Sequence, residues 1–548
     1  MHSIQHIMPT VVAIFIIMIA INTHGPYEYK GIFSLLVLVS LSLLPLIRNK
    51  IQWALQDYLF GLFLLYILSK EICAPQPSAH ILYWSKVLLC ALVYLASKLF
   101  TSKIVSIIYN VIIAAGLFEI ILCILQFIGI LHSHNQYCII SGTFDNPAHL
   151  AIFLSVWMVI FIHACNNGSN TRLTLCIAGT VLAFFIILYC KSRTAIIISI
   201  FGLIFSLFES QLKKKPSQYI IAILIIACFG VSYYARPGSA DARTLIWKSS
   251  IIHAAKQPIF GNGNNSFQAD YMYNQKNYFL AHEAPKLALV ANNNFQAFNE
   301  TVHVFYEHGF VGLFILFVGI ALTLYKLRRK EKIIACMLLF ASQFIYLIDI
   351  HILCIMLFFI LGQTVQNNKE QEKSSKGFVL CFVFIILTIS SFSVNTFVCF
   401  KKADKTITTL TKENPFISTQ EGIVLNDRHF ALRYAKWLNS LATPEALDRV
   451  EYISNNIIAT TDMLIDLGDG YLSLNRYSEA EEHYFNASLM IPSLITPKIK
   501  LLHLYKTINN KEKALLEAQS ILYGNYKKIG SAVLRGKTEA KEYILKNI

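Results

Sequence analysis

Residues 104–130 read Ile104-Val-Ser-Ile-Ile-Tyr-Asn-Val-Ile-Ile-Ala-Ala-Gly-Leu-Phe-Glu-Ile-Ile-Leu-Cys-Ile-Leu-Gln-Phe-Ile-Gly-Ile130, an apolar run in which Glu119 is the one charged residue. A helix needs about 20 such residues to cross the hydrocarbon core of a bilayer. Comparable runs recur from Ile7 to Phe400 and then stop. The sequence therefore predicts an all-α fold, with a polytopic membrane helix bundle over residues 1–400 and a soluble domain over residues 401–548.

The composition supports this division, since 55% of the 548 residues are hydrophobic and only 14% are charged. No ordinary soluble domain of this size has that balance. Counting runs of sufficient length gives about thirteen membrane spans. Their centres lie near Phe15, Leu38, Phe60, Leu89, Leu117, Val156, Ala183, Phe201, Ile225, Phe314, Leu339, Leu357 and Phe384.

The formal net charge of +15 has its source mainly in short loops between the apolar runs. Basic loops stay on the cytoplasmic side of a membrane. This places the N-terminus inside, and it places the C-terminal domain and a long loop over residues 236–302 outside. It also argues against nucleic-acid binding. The inner loops carry Arg48 and Lys50, Lys98 and Lys103, Arg172, Lys213 to Lys215, Lys326 to Lys332, and Lys369 to Lys376.

The twelve cysteines give no sign of a metal site or a disulfide framework. All of them precede residue 401, and none forms a CxxC pair. They are expected to pack as small apolar side chains. The sequence predicts no metal and no cofactor.

Two outer cations stand against the charge rule, because Lys191 and Arg193 occupy a short outer connection, Lys191-Ser-Arg-Thr194. A cation kept there invites a functional interpretation, although a lysine at a helix end is also explained by snorkelling. Arg243 lies in the long outer loop, before an Ile-Trp pair. The planar fork of arginine suits phosphate oxygens, so Arg193 and Arg243 together predict a clamp for a diphosphate at the membrane face.

A second group of polar residues begins the tenth predicted span, in Asn299-Glu-Thr-Val-His303. In a helix, Asn299 and His303 share one face, with Glu300 and Glu307 close by. This cluster could hold a general base, or it could be a polar helix end that meets water. Asp145 and Asn146 precede a proline and an apolar run, so they either shape a pocket or cap a helix. Gly261-Asn-Gly263 marks a chain reversal more often than a phosphate cradle.

The C-terminal domain has the spacing of tetratricopeptide repeats. Shifting the pattern by about 34 residues gives a looser second copy. Stacked helix pairs of this kind make a concave surface for protein or peptide partners, or they cap a neighbouring domain. The matching positions are Leu467-Gly-Asp-Gly-Tyr471, Tyr477, Ala480, Tyr484, Ala487 and Pro492, followed by Leu501, Leu502, Tyr505, Ala514 and Ala518.

The outer motifs and their order resemble the O-antigen ligase family, whose relatives include O-antigen polymerases and pilin-type oligosaccharyltransferases. The matching segments are Gly142-Thr-Phe-Asp-Asn-Pro-Ala, Lys191-Ser-Arg-Thr, Arg243-Thr-Leu-Ile-Trp, Pro258-Ile-Phe-Gly-Asn-Gly-Asn-Asn-Ser-Phe, Asn299-Glu, Glu307-His-Gly309 and Gly312.

The resemblance implies that the substrate is an undecaprenyl-diphosphate-linked glycan, transferred without a nucleotide sugar or a metal, with lipid A-core or a protein as acceptor. Arg193, Arg243 and Lys191 would bind the diphosphate, and Asp145, Asn146 and Asn299 would line the sugar or acceptor pocket. Members of the family commonly have a histidine immediately before this Asn, where this chain has Phe298. His303 and then Glu300 are the predicted substitutes, because the amide of Gln296 has no suitable pKa.

Other functions remain open on the sequence alone. An O-antigen polymerase or a protein O-oligosaccharyltransferase would use the same chemistry with another acceptor. A transporter or flippase would need charges near the middle of the membrane, for which Glu119 is the main candidate. A non-catalytic membrane scaffold is the fourth possibility, because Phe298 replaces the usual base.

Overall fold

The computed structural model describes residues 28–43, 53–75, 77, 81–133, 135, 137–165, 170–207, 237–364, 376–408, 410, 425 and 427–547. The regular structure of these residues is helical, with one isolated backbone bridge between Leu327 and Thr364. The prediction of an all-α membrane protein is confirmed.

Fourteen helices make up the described part of the first 410 residues, and a short 3₁₀ turn spans Leu347–Asp349. They are α1 (Glu28–Leu43), α2 (Leu55–Cys73), α3 (Ile81–Leu99), α4 (Ser102–Phe127), α5 (Pro147–Cys165), α6 (Asn170–Tyr189), α7 (Arg193–Leu207), α8 (Pro237–Ala254), α9 (Ser266–Ala281), α10 (Pro285–Ala288), α11 (Glu300–Lys326), α12 (Arg329–Ala341), α13 (His351–Gly362) and α14 (Lys376–Thr408).

Four of these helices, α3, α4, α5 and α11, are long and apolar enough to cross a membrane. Eleven of the thirteen predicted span centres fall within described helices. The remaining two, Phe15 and Ile225, lie outside the described residues, as do the basic residues predicted near 48–50 and 213–215. The full number of spans and their orientation stay predictions.

Helix α5 lies at the centre of the membrane part, because it is apolar on all sides. Its residues from Leu150 to Val159 are completely buried. The indole of Trp157 donates to the carbonyl of Ile113 on α4 at 3.0 Å, and it packs so closely on Gly116 that a Cβ there would lie 2.1 Å from the ring. At the start of α5, Asn146 Oδ1 accepts the N–H of Ala148 at 2.9 Å. The capping interpretation of Asn146 is therefore correct.

Helix α11 is broken at Gly309, where φ is 64° and ψ is −165°. The freed backbone groups pair with the segment 258–263 of the long loop. Phe310 N–H donates to the carbonyl of Pro258 at 2.8 Å, and Gly263 N–H donates to the carbonyl of Glu307 at 3.1 Å. A Cβ on Gly261 would lie 2.5 Å from the Glu307 backbone. Gly261 and Gly309 thus allow the backbone of segment 258–263 to cross that of α11 in direct contact.

Seven helices lie in the described residues from 427 to 547: α15 (Arg428–Leu441), α16 (Pro444–Asn456), α17 (Thr461–Ser473), α18 (Tyr477–Met490), α19 (Thr496–Thr507), α20 (Lys511–Tyr523) and α21 (Ser531–Asn547). The repeat positions Leu467, Tyr471, Ala480, Tyr484 and Ala487 are all buried between α17 and α18. The helix pairing agrees with the expected repeats, and the assignment to the tetratricopeptide class stays a prediction.

The C-terminal domain packs directly on α8 and α9, the helices of the long loop. The two share one hydrophobic core, which runs from Leu245 on α8 to Ala540 on α21. Polar contacts fix the register: Gln275 Nε2 donates to the carbonyl of Met490 at 2.6 Å, and Thr461 N–H donates to Asn293 Oδ1 at 3.1 Å. The domain is therefore held in place against the long loop.

Candidate functional site

A cavity of about 410 Å³ opens between α2, α3 and α11. One end is polar and is lined in part by Arg428 of the C-terminal domain. The remainder follows α2 and α3 and is mainly apolar, apart from Asp57, which pairs with Lys98 at 2.8 Å. Two predicted catalytic residues, His303 and Glu300, lie together on its wall, as does Asn299. The other polar residues at this end include Lys86, Gln296, Glu307, Asp349 and Arg428.

His303 is oriented by a buried carboxylate. Its Nε2 lies 3.2 Å from Oε1 of Glu307, one helical turn further along α11, and the side chain of Glu307 is only 1% exposed. The His303 ring stacks on Phe267, with 5.3 Å between ring centroids. Phe267 also offers its N–H to Glu307 Oε1 at 3.5 Å. An imidazole held in this way by a carboxylate has the arrangement of a general base.

The segment 258–267 holds His303 and Glu307 in place through contacts with α2. Asn264 Nδ2 donates to the carbonyl of Ile67 at 3.0 Å and to Glu71 Oε2 at 2.8 Å, both on α2. Lys70 Nζ donates to the carbonyl of Glu307 at 2.6 Å. Helix α2 therefore fixes both the loop and the break in α11 that present His303.

Glu300 and Asn299 also have structural roles at the start of α11. Asn299 Oδ1 accepts the N–H of Val302 at 2.9 Å and so caps the helix. Glu300 N–H donates to the carbonyl of Ser342 at 3.0 Å, while Glu300 Oε1 accepts the N–H of Ile348 at 3.4 Å. Both side chains still line the cavity, so a contact with substrate is compatible with the capping geometry.

A charged group that the sequence did not predict as part of the site lies opposite His303. Lys86 Nζ is 2.5 Å from Asp349 Oδ1, and the amide of Gln296 donates to Asp349 Oδ2. Burial opposes ionisation of Asp349, but the positive charges of Lys86 and Arg428 lower its pKa below the usual range. These groups come from α3, the outer loop, the 3₁₀ turn and α15, so only tertiary structure brings them together.

Phe298 occupies the place where the family commonly has a histidine, and its side chain lines the same cavity. Its φ of 50° is unusual for a residue with a side chain. The ring packs edge-on against Tyr346, at 5.3 Å between centroids. The position is therefore part of the site, but its side chain is unable to accept a proton.

The two predicted arginines interact through their charges, and Arg243 contacts the segment that leads to Tyr346. Arg243 Nη2 donates to the carbonyl of Phe344 at 3.1 Å. Burial lowers the pKa of the Arg243 guanidinium, and the charge of Arg193 lowers it further. Neither arginine is among the residues that line the cavity, whereas Tyr346 is. Lys191 is exposed in the turn before α7, with a φ of 53°.

The loop that carries Asp145 interacts with Tyr346, which lines the cavity. Burial raises the pKa of the Tyr346 hydroxyl, and the charges of Asp349 and Asp145 raise it further. Asp145 itself is exposed, and its carbonyl accepts from Asn135 Nδ2 at 2.8 Å. Beneath this loop, Glu119 accepts the N–H and the hydroxyl of Thr143 at 3.0 and 2.5 Å.

Comparison with known proteins places a family domain on this region. Residues 178–317 match the family model described as O-antigen ligase. No curated protein matches the chain. The matched residues include Arg193, Arg243, His303 and Glu307, whereas Asp349 lies beyond them. The chain is thus a helical membrane protein that carries a domain of the O-antigen ligase family over residues 178–317.

Proposed function

We propose that this protein is a glycosyltransferase of the bacterial inner membrane, which moves a glycan from an undecaprenyl-diphosphate carrier to an acceptor hydroxyl at the periplasmic face. The observation that carries the proposal is the pair of His303 and Glu307 on the wall of the cavity, at 3.2 Å. The family domain over the same residues supports it.

In the proposed reaction, His303 removes the proton from the acceptor hydroxyl while that oxygen attacks the anomeric carbon of the glycan. The bond between this carbon and the diphosphate oxygen breaks, and the lipid diphosphate leaves with the bonding electrons. A single displacement of this kind inverts the anomeric centre. Glu307 stabilises the imidazolium that forms, as the carboxylate does in other histidine-based sites. General base catalysis typically contributes about 10²–10⁴-fold to the rate.

Arg193 and Arg243 are the proposed partners of the departing diphosphate. The charge of Arg193 acts on the Arg243 guanidinium, and a bound anion would offset the repulsion between the two positive charges. Stabilising the charge that develops on a leaving group is worth several kcal/mol in a partly dry site. Lys191 is a further proposed contact for the diphosphate.

Glu300 is the second candidate for proton transfer, and Asp145, Asn146 and Asn299 are proposed sugar or acceptor contacts. Residues 401–548 are proposed to be periplasmic repeats that hold the outer loop in place and offer a surface to a protein partner. A polymerase or a protein O-oligosaccharyltransferase would use the same groups with another acceptor. Glu119 gives little support to a transporter, because its two carboxylate oxygens already accept hydrogen bonds from Thr143.

The proposal is tested by reconstituting the full chain in proteoliposomes with lipid-linked glycan and membrane extract from the host as source of acceptor. We expect wild-type protein to release undecaprenyl diphosphate in step with glycan transfer. His282→Ala is a suitable control for substitutions of His303, because His282 is exposed on the same long loop and is not part of the cavity lining. Hydrolysis of the donor without transfer, or no turnover by wild-type protein, would contradict the proposed reaction.

A further inference from the structure

Two large apolar side chains of the long loop lie on the surface, immediately before the glycine at which the loop crosses α11. Ile259 is 57% exposed and Phe260 is 60% exposed. Single exposed apolar residues are common on proteins and need no explanation. This pair differs, because it belongs to a larger apolar surface that continues along α11.

The neighbouring stripe of α11 has the character of a lipid-facing surface. Phe310, Phe314 and Phe317 are 60–69% exposed, and intervals of four and three residues place them on one side of the helix. α11 is also long and apolar enough to cross a membrane. A large exposed apolar surface on such a helix is the part that acyl chains cover.

The loop is joined to the first turn of this stripe by backbone hydrogen bonds. Phe310 N–H donates to the carbonyl of Pro258 at 2.8 Å, and Val311 N–H donates to the carbonyl of Ile259 at 3.1 Å. The loop therefore lies directly against α11 at Phe310. Its exposed side chains extend the lipid-facing surface of the helix beyond the helix itself.

The backbone of this segment is prepared for a place without water. Pro258 has no N–H to satisfy, and the carbonyls of Pro258 and Ile259 are taken by α11. The carbonyl of Phe260 accepts from the Tyr66 hydroxyl at 3.1 Å and from Lys70 Nζ at 2.5 Å. Irregular backbone at membrane depth needs such partners within the protein, whereas water would pair with the carbonyls of a solvated loop.

The end of α8, which leads into this segment, has an apolar surface on its outward side as well. Leu245 is buried in the core, but Ile251 and Ile252 are each about half exposed. Lys248 and Lys256, both exposed, lie near them in the sequence. Outward apolar residues accompanied by lysines are typical of a helix at the boundary between lipid head groups and acyl chains.

We infer that segment 251–260 of the long loop is inserted into the membrane, with Ile259 and Phe260 among the acyl chains of the phospholipids on that side. The inference goes beyond the proposed function and does not depend on it, because lipid contact requires neither donor nor acceptor. Insertion would hold the crossing of the loop with α11 at a fixed depth. It would therefore set the height of His303 relative to the head groups.

Photocrosslinking of the full chain in nanodiscs of radiolabelled phosphatidylcholine and phosphatidylglycerol tests the insertion. p-Benzoyl-phenylalanine replaces Phe260, Phe314 as the lipid-facing reference, or Leu280 as the matched control. Leu280 is 65% exposed on α9 of the same loop and belongs to neither part of the apolar surface. We expect lipid labelling at Phe260 to resemble that at Phe314 and to exceed that at Leu280 by about tenfold or more, because only the first two positions adjoin acyl chains.

Equal labelling at Phe260 and Leu280 would overturn the inference. A crosslink from Phe260 to a second copy of the chain in place of lipid would also overturn it, because the surface would then be a protein interface. A second measurement uses wild-type protein and so does not depend on the folding of variants. Nanodiscs containing phosphatidylcholine with a diazirine in its acyl chain are irradiated, and the adducts are mapped by mass spectrometry. Adducts are expected on residues 251–260 and on the α11 stripe; adducts on the stripe alone would contradict insertion of the loop.

Discussion

His303 Nε2 and Glu307 Oε1 are 3.2 Å apart on one face of α11, immediately before the break at Gly309. The carboxylate is buried and also receives the N–H of Phe267, so its position is fixed by the loop that carries Phe267. The break lets α11 present these side chains to the cavity while the rest of the helix continues through the membrane part.

Replacing His303 should remove catalysis and leave the fold intact. We expect His303→Gln to lower kcat by about 10²–10⁴-fold, since no side chain remains to take the acceptor proton. His303→Ala should regain part of the activity when imidazole is added. Measured kcat for both variants, beside His282→Ala, checks this prediction. Activity near the wild-type level in His303→Gln would transfer the role of base to Glu300.

Arg193→Ala and Arg243→Ala should each abolish transfer without affecting membrane insertion. Losing one preorganised charge at a leaving group lowers kcat by about 10²–10³-fold. Lysine at either position should restore only part of the activity, because a point charge lacks the planar fork of arginine. Initial rates at saturating acceptor measure the effect, with Arg433→Ala on the exposed face of α15 as control. Normal transfer by both alanine variants would eliminate the diphosphate clamp.

Arg428 connects the C-terminal domain to the chemistry of the site, because it lines the cavity and acts on Asp349. We expect Arg428→Ala to lower kcat/KM by about tenfold, as for the loss of one hydrogen-bonding charge. The same rate assay with Arg433→Ala separates this effect from damage to α15. Equal rates for the two variants would restrict the domain to a structural role.

Gly309 should tolerate no side chain. Its φ of 64° favours glycine, and a Cβ there would lie 2.3 Å from the carbonyl oxygen of Ile259. We expect Gly309→Ala to lower the Tm in detergent, with a loss of about 1–3 kcal/mol from backbone strain alone and more from the contact. Gly530→Ala is the control, since a Cβ at Gly530 meets no atom within 4 Å. Equal thermal stability of the two variants would show that the backbones do not cross at this point.

The buried carboxyl of Asp270 should make the stability of the folded protein depend on pH. Burial raises the pKa of its carboxyl to about 6. The hydrogen bond from Tyr306 lowers this pKa, and the negative charge of Glu307 raises it. The folded state therefore binds this proton more tightly than the unfolded state, and stability should fall as pH rises from about 4 through 6. Asp270→Asn should raise the Tm at pH 7.5 relative to wild type, and the difference should shrink towards pH 4.5. Asp448→Asn, at an exposed carboxylate, is the control for the substitution itself. A pH-independent difference for Asp270→Asn would contradict the raised pKa of Asp270.

Local patterns in the sequence predicted much of this arrangement. Apolar length predicted the helices, and Asn-Pro predicted the cap on α5. Helical spacing grouped Asn299 with His303, and both line the cavity, although Asn299 caps α11 instead of belonging to it. Two parts of the site were not accessible in this way. Lys86, Asp349 and Arg428 come from segments far apart in the chain, so no local pattern relates them. The role of Phe267 depends on the crossing of the 258–263 segment with the break in α11, whereas the sequence indicates only glycines at both places.

The glycan profile of a strain that lacks the gene and carries either wild-type or His303→Gln protein tests the central claim most directly. Long glycans on the acceptor are separated by electrophoresis, and undecaprenyl-diphosphate-linked glycan is measured by mass spectrometry in the same cells. We predict that His303→Gln cells lose the long glycans and accumulate the lipid-linked precursor. Wild-type amounts of long glycan in those cells, with no accumulation of precursor, would contradict the assignment of this cavity as the site of glycan transfer.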